Sequence, residues 1–317
     1  MSALAFTILA LCLVGPVPAL LARASWPLRA PRAAIVLWQA IAVAAVLSAF
    51  SAGIAIASRL FLPGSDGRPT ATIAGEIEHL GWPLWLAYVT VFALTLVVGV
   101  RLTVSVIGVA VATRRRRARH RMLVDLLDVS RSCAAPHVRT GGELRILDVE
   151  QPLAYCLPGV RSRVVVSEGT FSALDDGEID AILSHERAHL RARHDLVLEA
   201  FTAVHAAFPR FVRSASALGA VRLLIELLAD DAAVRTAGPT PLARALVACA
   251  SGRTPSGALA AGGPTTVVRV RRLAGRGNSV YLAAGAYLCA VAVLVVPTIA
   301  LAVPWLTELQ RLFNIDL

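Results

Sequence analysis

The stretch DDGEIDAILSHERAHL, residues 175–190, decides how the second half of the chain is read. Asp175 followed three residues later by Glu178 is a helix N-cap pair, so a helix is expected to start there. Ala181, Ile182, Leu183, Ala188 and Leu190 give that helix an apolar side, which argues for a buried helix. On it, His185, Glu186 and His189 form an HExxH pattern. Residues i and i+4 lie one turn apart on one face, so both imidazoles can reach a single ion. The glutamate between them points close to the open coordination position, where it can take a proton from a water that the ion acidifies. Two histidines and a glutamate also coincide on charged surface helices, but the apolar flank weakens that bland reading.

A catalytic zinc takes three protein ligands. The expected third is Glu226, set in the apolar run LLIELLADD of residues 223–231. An unpaired carboxylate there would be expensive, and a metal would compensate it. The competing reading is a buried ion pair with an arginine such as Arg222. Asp230, one turn further along the same face, is placed to accept a hydrogen bond from a ligand histidine and fix its tautomer. Asp231 faces elsewhere and is expected to be solvated.

Working outward, the composition is not that of an ordinary cytosolic enzyme. The chain has 317 residues, 56% hydrophobic and 16% charged, against roughly 25% charged in soluble domains. Its net charge of +10 rests wholly on arginine, which reflects a biased genome as readily as function, so no direct nucleic-acid partner is expected. Five scattered cysteines, none in a CxxC, define neither a disulfide framework nor a zinc knuckle.

Four apolar runs are long enough to cross a bilayer, at about 2–21, 33–58, 82–112 and 279–303. The first lacks the positive start of a signal peptide. Arginines cluster after it at Arg23, Arg29 and Arg32, after the third run at Arg114–Arg117, Arg119 and Arg121, and before the fourth at Arg269, Arg271, Arg272 and Arg276. By the positive-inside rule these three loops are cytoplasmic, and residues 61–81 and the tail 304–317 are external. The expected organisation is three spans in 1–113, a cytoplasmic domain in 114–276, and a fourth span with a short tail in 277–317. The basic clusters are also placed to meet anionic lipid. Arg101, inside the third run, is expected to snorkel from a tilted helix rather than to serve a transport pathway.

The domain reads as α+β. A helix over 122–129 is followed by strands over 144–149, 153–157 and 163–167, the last two joined by Pro158-Gly159 as a hairpin. Beyond the HExxH helix, further helices are expected over 196–208, 217–236 and 242–250.

At these motifs the chain resembles the gluzincin metallopeptidases, through HExxH followed by a helix bearing Glu226-x-x-Ala229-Asp230. It is most similar to the BlaR-type membrane peptidase family M56, related to the M48 group of HtpX and Ste24. HtpX-like proteins place membrane helices between HExxH and the glutamate helix, whereas here 37 residues, interrupted by Arg210 and Arg213, separate His189 from Glu226. Three spans, a domain and one returning span match the BlaR-type plan.

The resemblance implies an α-helical membrane protein with a zincin-like cytoplasmic protease domain in a bacterial cell membrane. It implies zinc on His185, His189 and Glu226, with Glu186 as general base and Asp230 in support. It also implies a protein substrate of the penicillinase-repressor type, aligned by backbone pairing along the strand at Ala154, Tyr155 and Cys156. Such relatives tend to close the basic stretch after HExxH with an aspartate; here His194 precedes Asp195, and which of the two serves the site stays open. Arg235 is a weak oxyanion candidate. Oligomeric state is not legible. The alternative from another class is a non-catalytic membrane signalling or scaffold protein with a vestigial metal site.

Overall fold

Apolar length without charge makes the amino-terminal helices, and proline divides them. In a computed structural model, residues 2–57, 77–78, 81–128, 143–207, 215–251, 259–260, 265–275 and 277–313 are described. Helices α1 (Ser2–Val14) and α2 (Pro16–Arg23) part at Gly15, where Pro16 and Pro18 remove backbone donors. α3 is Pro31–Ala57, α4 is Trp82–Leu126 and, near the end of the chain, α11 is Val280–Phe313. Among the described residues four helical stretches, with α1 and α2 counted as one, are long and apolar enough to cross a membrane. Most of the expected outer loop, 61–81, lies outside the described residues.

The expected third span and the helix after it are one element. α4 runs unbroken for 45 residues, because the arginines of 114–121 are good helix formers and neither glycine nor proline interrupts them. Its C-terminal end lies along a small sheet. Strands β1 (Leu144–Leu147), β2 (Ala154–Leu157) and β3 (Arg163–Ser167) are followed by a short helix α5 (Glu168–Ala173). β1 pairs parallel with β3, and β2 pairs antiparallel with β3, Ala154 opposite Val166. Asp125 of α4 reaches Arg145 at 2.9 Å and Arg163 at 3.1 Å, so the rod is tied to both outer-facing strand residues.

The HExxH helix is α6 (Asp176–Arg191). Its N-terminus is closed reciprocally: Glu178 N donates to Asp175 Oδ1 at 2.8 Å, and Asp175 N donates to Glu178 Oε2 at 3.2 Å. A tight turn leads to α7 (His194–Ala207), with Arg193 in the left-handed region at φ 52°. Then come α8 (Ala215–Ala237), α9 (Pro239–Ala248), a two-residue strand β4 (Leu259–Ala260) and α10 (Thr266–Leu273). The sheet order is β1-β3-β2-β4.

Two cores meet along α8. Its Val221, Leu224, Ile225 and Leu227 pack with Leu13, Ala34, Ile35, Trp38, Ile41 and Ala45 of α1 and α3. Its last turns join Ile146, Val164, Val166, Ile182 and Leu246 in the core of the sheet and α6. Alanines of α3 at this contact, Ala34, Ala40, Ala44 and Ala45, leave room for the side chains of α8.

α7 also stands beside the apolar helices. Ser105 Oγ donates to Ala203 O at 2.7 Å, and Arg101 Nε donates to Ala207 O at 3.2 Å. Arg101 therefore does not simply snorkel: it satisfies a carbonyl at the C-terminal end of α7, where a cation also complements the helix dipole. In the interval between HExxH and Glu226, α7 and the first half of α8 flank the apolar helices. Arg210 and Arg213 lie outside the described residues. A cavity of about 250 Å³ between these helices, lined by Trp38, Phe50, Leu102, Phe201 and Leu218, is apolar and separate from the HExxH residues.

Candidate metal centre

The site is built where the middle of α6 faces the middle of α8. His185 and His189 are a turn apart on α6, and both are almost wholly buried. His185 Nε2 and His189 Nε2 stand 3.2 Å apart. Glu226 of α8 brings Oε2 to 3.4 Å from His185 Nε2 and Oε1 to 3.6 Å from His189 Nε2. Donor atoms about 2.0–2.1 Å from a shared tetrahedral ion stand roughly 3.3 Å from one another. The two imidazole nitrogens meet that requirement, each faces one oxygen of the Glu226 carboxylate, and with one ligand atom from each residue within 4.8 Å of the others the three could hold a metal ion.

Charge supports the fit. Glu186 and Asp230 are fully buried and Glu226 is 14% exposed, while Arg269, 1% exposed, pairs with Asp230 and Glu226. Three carboxylates and two imidazoles gathered around one guanidinium in a low-dielectric site are a donor set that suits a dication. Both carboxylate oxygens of Glu186 are buried, and among the described residues the side chain that bonds to them is the weakly donating Cys156 thiol. A buried carboxylate with so weak a partner beside two convergent imidazoles suits a group that takes a proton from a water. Burial raises its pKa to about 7, near the range where a carboxylate can both accept and return a proton.

His185 is oriented from behind. Its Nδ1 lies 3.0 Å from Asp230 Oδ1, so the ring donates from Nδ1 and leaves the Nε2 lone pair facing Glu226 and His189. Burial opposes charge on His185, but the Asp230 and Glu226 carboxylates outweigh it and push its pKa up in the metal-free site. For His189, burial dominates and pushes the pKa down to about 3. Asp230 sits below the ordinary carboxylate range: burial works the other way, and the Arg269 and His185 hydrogen bonds overcome it. His189 Nδ1 lies 3.0 Å from Nδ1 of His194, which is itself 5% exposed.

Several sequence-level expectations change. Glu226 does pair with an arginine, but it is Arg269 at 3.0 Å, not Arg222. Arg269 had been grouped with the basic residues before the last span. It is instead buried on the inner face of α10, donating from Nε to Asp230 Oδ2 at 2.8 Å and from Nη2 to Asp230 Oδ1. The signal was available: Thr266, Arg269, Val270 and Leu273 share one helical face, opposite Arg271. Asp231 is not solvated but held by Arg272 at 2.7 and 3.1 Å and by Asn278 at 3.0 Å.

The basic stretch of α4 grips protein. Arg121 donates to Pro158 O at 2.9 Å, and Arg117 lies 2.9 Å from both Asp195 and Glu199.

The strand at Ala154, Tyr155 and Cys156 is not the open edge that substrate alignment needs. Tyr155 pairs with Ala260 and Cys156 with Leu259 of β4, so the backbone positions expected to receive a peptide at 155 and 156 are already taken by the chain. A two-residue strand leaves no alternation for a sequence to show, which is why β4 was missed. The Tyr155 hydroxyl turns instead to His120 of α4, 3.0 Å away.

Among known proteins, the model of peptidase family M48 matches residues 114–277, just over half of the chain. No curated protein and no solved structure matches.

Proposed function

The chain belongs to peptidase family M48, and from that premise we propose that it is a zinc endopeptidase built into a membrane, cleaving protein at the membrane–cytoplasm boundary. The observation that carries this reading is the convergence of His185, His189 and Glu226, with each imidazole Nε2 3.4–3.6 Å from an oxygen of Glu226 and 3.2 Å from the other, beside the buried Glu186. A zinc ion held by those three residues would polarise a scissile carbonyl and acidify a water. The residues of the chain do the rest. Glu186 accepts a proton from the attacking water as its oxygen bonds to the carbonyl carbon. The same carboxyl then returns the proton to the amide nitrogen as the C–N bond breaks. Asp230 keeps His185 in the tautomer that presents Nε2, and Arg269 restrains Glu226 and Asp230.

The boundary location is supported by α8, whose residues on either side of Glu226 pack against Ala34, Ile35 and Trp38 in the first turns of α3. The clusters of arginine support a cytoplasmic face for the site. The order of three apolar segments, protease unit and returning helix supports a BlaR-type plan, while the α7–α8 hairpin beside the spans is closer to the HtpX-like arrangement. As physiological substrate we carry forward a transcriptional repressor of the penicillinase-repressor type, on the strength of the BlaR-type likeness alone.

The test is Glu186→Gln in the full detergent-solubilised chain, with fluorescein-labelled casein as reporter. The variant is expected to keep one bound zinc and to lose at least about 100-fold in cleavage. Cleavage unaffected by the substitution, or a parent chain that takes up no zinc, would overturn the proposal.

A further inference from the structure

We propose that His194 is a positioning residue for His189, held over it by the left-handed turn at Arg193 and by the Arg117–Asp195 pair, so that the third apolar helix is tied to the metal centre. The inference rests on the zinc reading above and adds to it a residue and a route.

The two imidazoles of the HExxH pair have different supports. His185 has the Asp230 carboxylate behind its Nδ1. His189 has only another ring: Nδ1 faces Nδ1 of His194 at 3.0 Å, with the planes at 82° and the ring centroids 5.0 Å apart. Two ring nitrogens at that separation share one proton. If His189 donates from Nδ1, its Nε2 carries the lone pair toward His185 and Glu226, and His194 accepts at Nδ1 while protonated at Nε2. The opposite assignment would put a proton on His189 Nε2, pointing toward His185 and Glu226. A metal on His189 therefore selects the first arrangement.

Backbone geometry shows that the contact is built. Arg193 is the one non-glycine residue at positive φ among the described residues, and that conformation disfavours side chains with a Cβ. The turn it makes reverses the chain between α6 and α7 and brings residue 194 back over residue 189. Asp195, next in the chain and 4% exposed, is fixed by Arg117 Nη1 at 2.9 Å, and the same nitrogen holds Glu199 at 2.9 Å. Arg117 belongs to α4, sixteen residues beyond Arg101, which donates to the opposite end of α7. α4 thus grips α7 at both ends, and His194 is the first residue of the gripped helix. This also resolves which of the two residues after the basic stretch meets the site: His194 faces His189, and Asp195 faces the membrane helix.

The test compares His194→Leu with His194→Asn. From the backbone, Oδ1 of asparagine occupies the place of Nδ1 of histidine, so asparagine keeps an acceptor and no charge changes; leucine fills similar space and accepts nothing. Zinc affinity is measured on the full chain in detergent by competition with a chelating dye, with Glu186→Gln as the parent so that self-cleavage does not interfere. Thermal unfolding in excess chelator reports the fold without metal. His194→Leu is expected to weaken zinc about 10–100-fold, and His194→Asn to recover most of that loss. Unchanged affinity in His194→Leu, or equal losses in both variants, overturns the assignment while leaving the peptidase reading standing. A His194→Leu protein that fails to fold leaves His194→Asn to decide: a tenfold or larger zinc loss in that variant, with unfolding in chelator unchanged, overturns the acceptor role. Absence of zinc in the parent overturns both.

Discussion

Replacing Arg269 by methionine should destabilise the metal-free protein far more than a surface arginine would. The side chain is 1% exposed and binds Asp230 through Nε at 2.8 Å and through Nη2, while Nη1 reaches Glu226 Oε2 at 3.0 Å. Methionine matches the volume of the stem and supplies no charge, so Asp230, Glu226 and Glu186 are left facing one another. Removing one partner of a buried ion pair costs about 3–5 kcal/mol, chiefly because the remaining charge stays buried. At about 2–4 °C for each kcal/mol, the metal-free Tm should fall by roughly 10 °C. Zinc changes the comparison, because a dication relieves the same repulsion that Arg269 relieves. The zinc-induced rise in Tm should therefore be larger in Arg269→Met than in the parent. The assay is thermal unfolding of the full chain in detergent, carrying Glu186→Gln in both proteins, once in chelator and once in excess zinc. A variant within about 2 °C of the parent in chelator, or a smaller zinc-induced rise than the parent shows, would refute the reasoning.

Asp230→Asn removes the charged acceptor behind His185 and should weaken zinc about 10–100-fold, read by the same dye competition; an unaltered affinity would show that His185 needs no support. Gly169→Ala should lower Tm by several degrees without changing zinc stoichiometry, because a Cβ at that position runs into the carbonyl of Glu150 and overpacking of this kind costs about 1–3 kcal/mol. Arg101→Leu should leave the Ala207 carbonyl without its side-chain donor and lower Tm, with zinc affinity within twofold of the parent. A zinc loss as large as that of His194→Leu would show instead that the outer grip of α4 on α7 is felt at the metal.

The legible parts of the chain were those with a local period or a local rule. The reciprocal cap of Asp175 and Glu178, the spacing of His185 and His189, and the uncharged length of α3 and α11 are each written within a few turns of helix. Glu226 was legible because a carboxylate among leucines needs an explanation wherever it lies. What stayed hidden depends on contacts made across the chain. Arg269 resembled its juxtamembrane neighbours because only the face of α10 distinguishes it. β4 is too short for any pattern, so its cover over Tyr155 and Cys156 could not be foreseen. The left-handed turn at Arg193 has no glycine or asparagine to announce it. The placement of α7 beside α4 follows from Ser105 and Arg101, polar residues that a hydropathy scan treats only as blemishes in a span.

The double allegiance of α8 has a practical outcome. Because one end of the helix that carries Glu226 is packed against the apolar helices α1 and α3 and the other in the sheet, cutting the chain at residue 114 would strip the cover from Val221, Leu224 and Ile225. Those side chains would then face water, and the helix would lose the wall against which it is aligned. An excised, freely diffusing version of this peptidase should aggregate or melt rather than hydrolyse, so its purification and any drug screen belong in lipid or detergent from the first step.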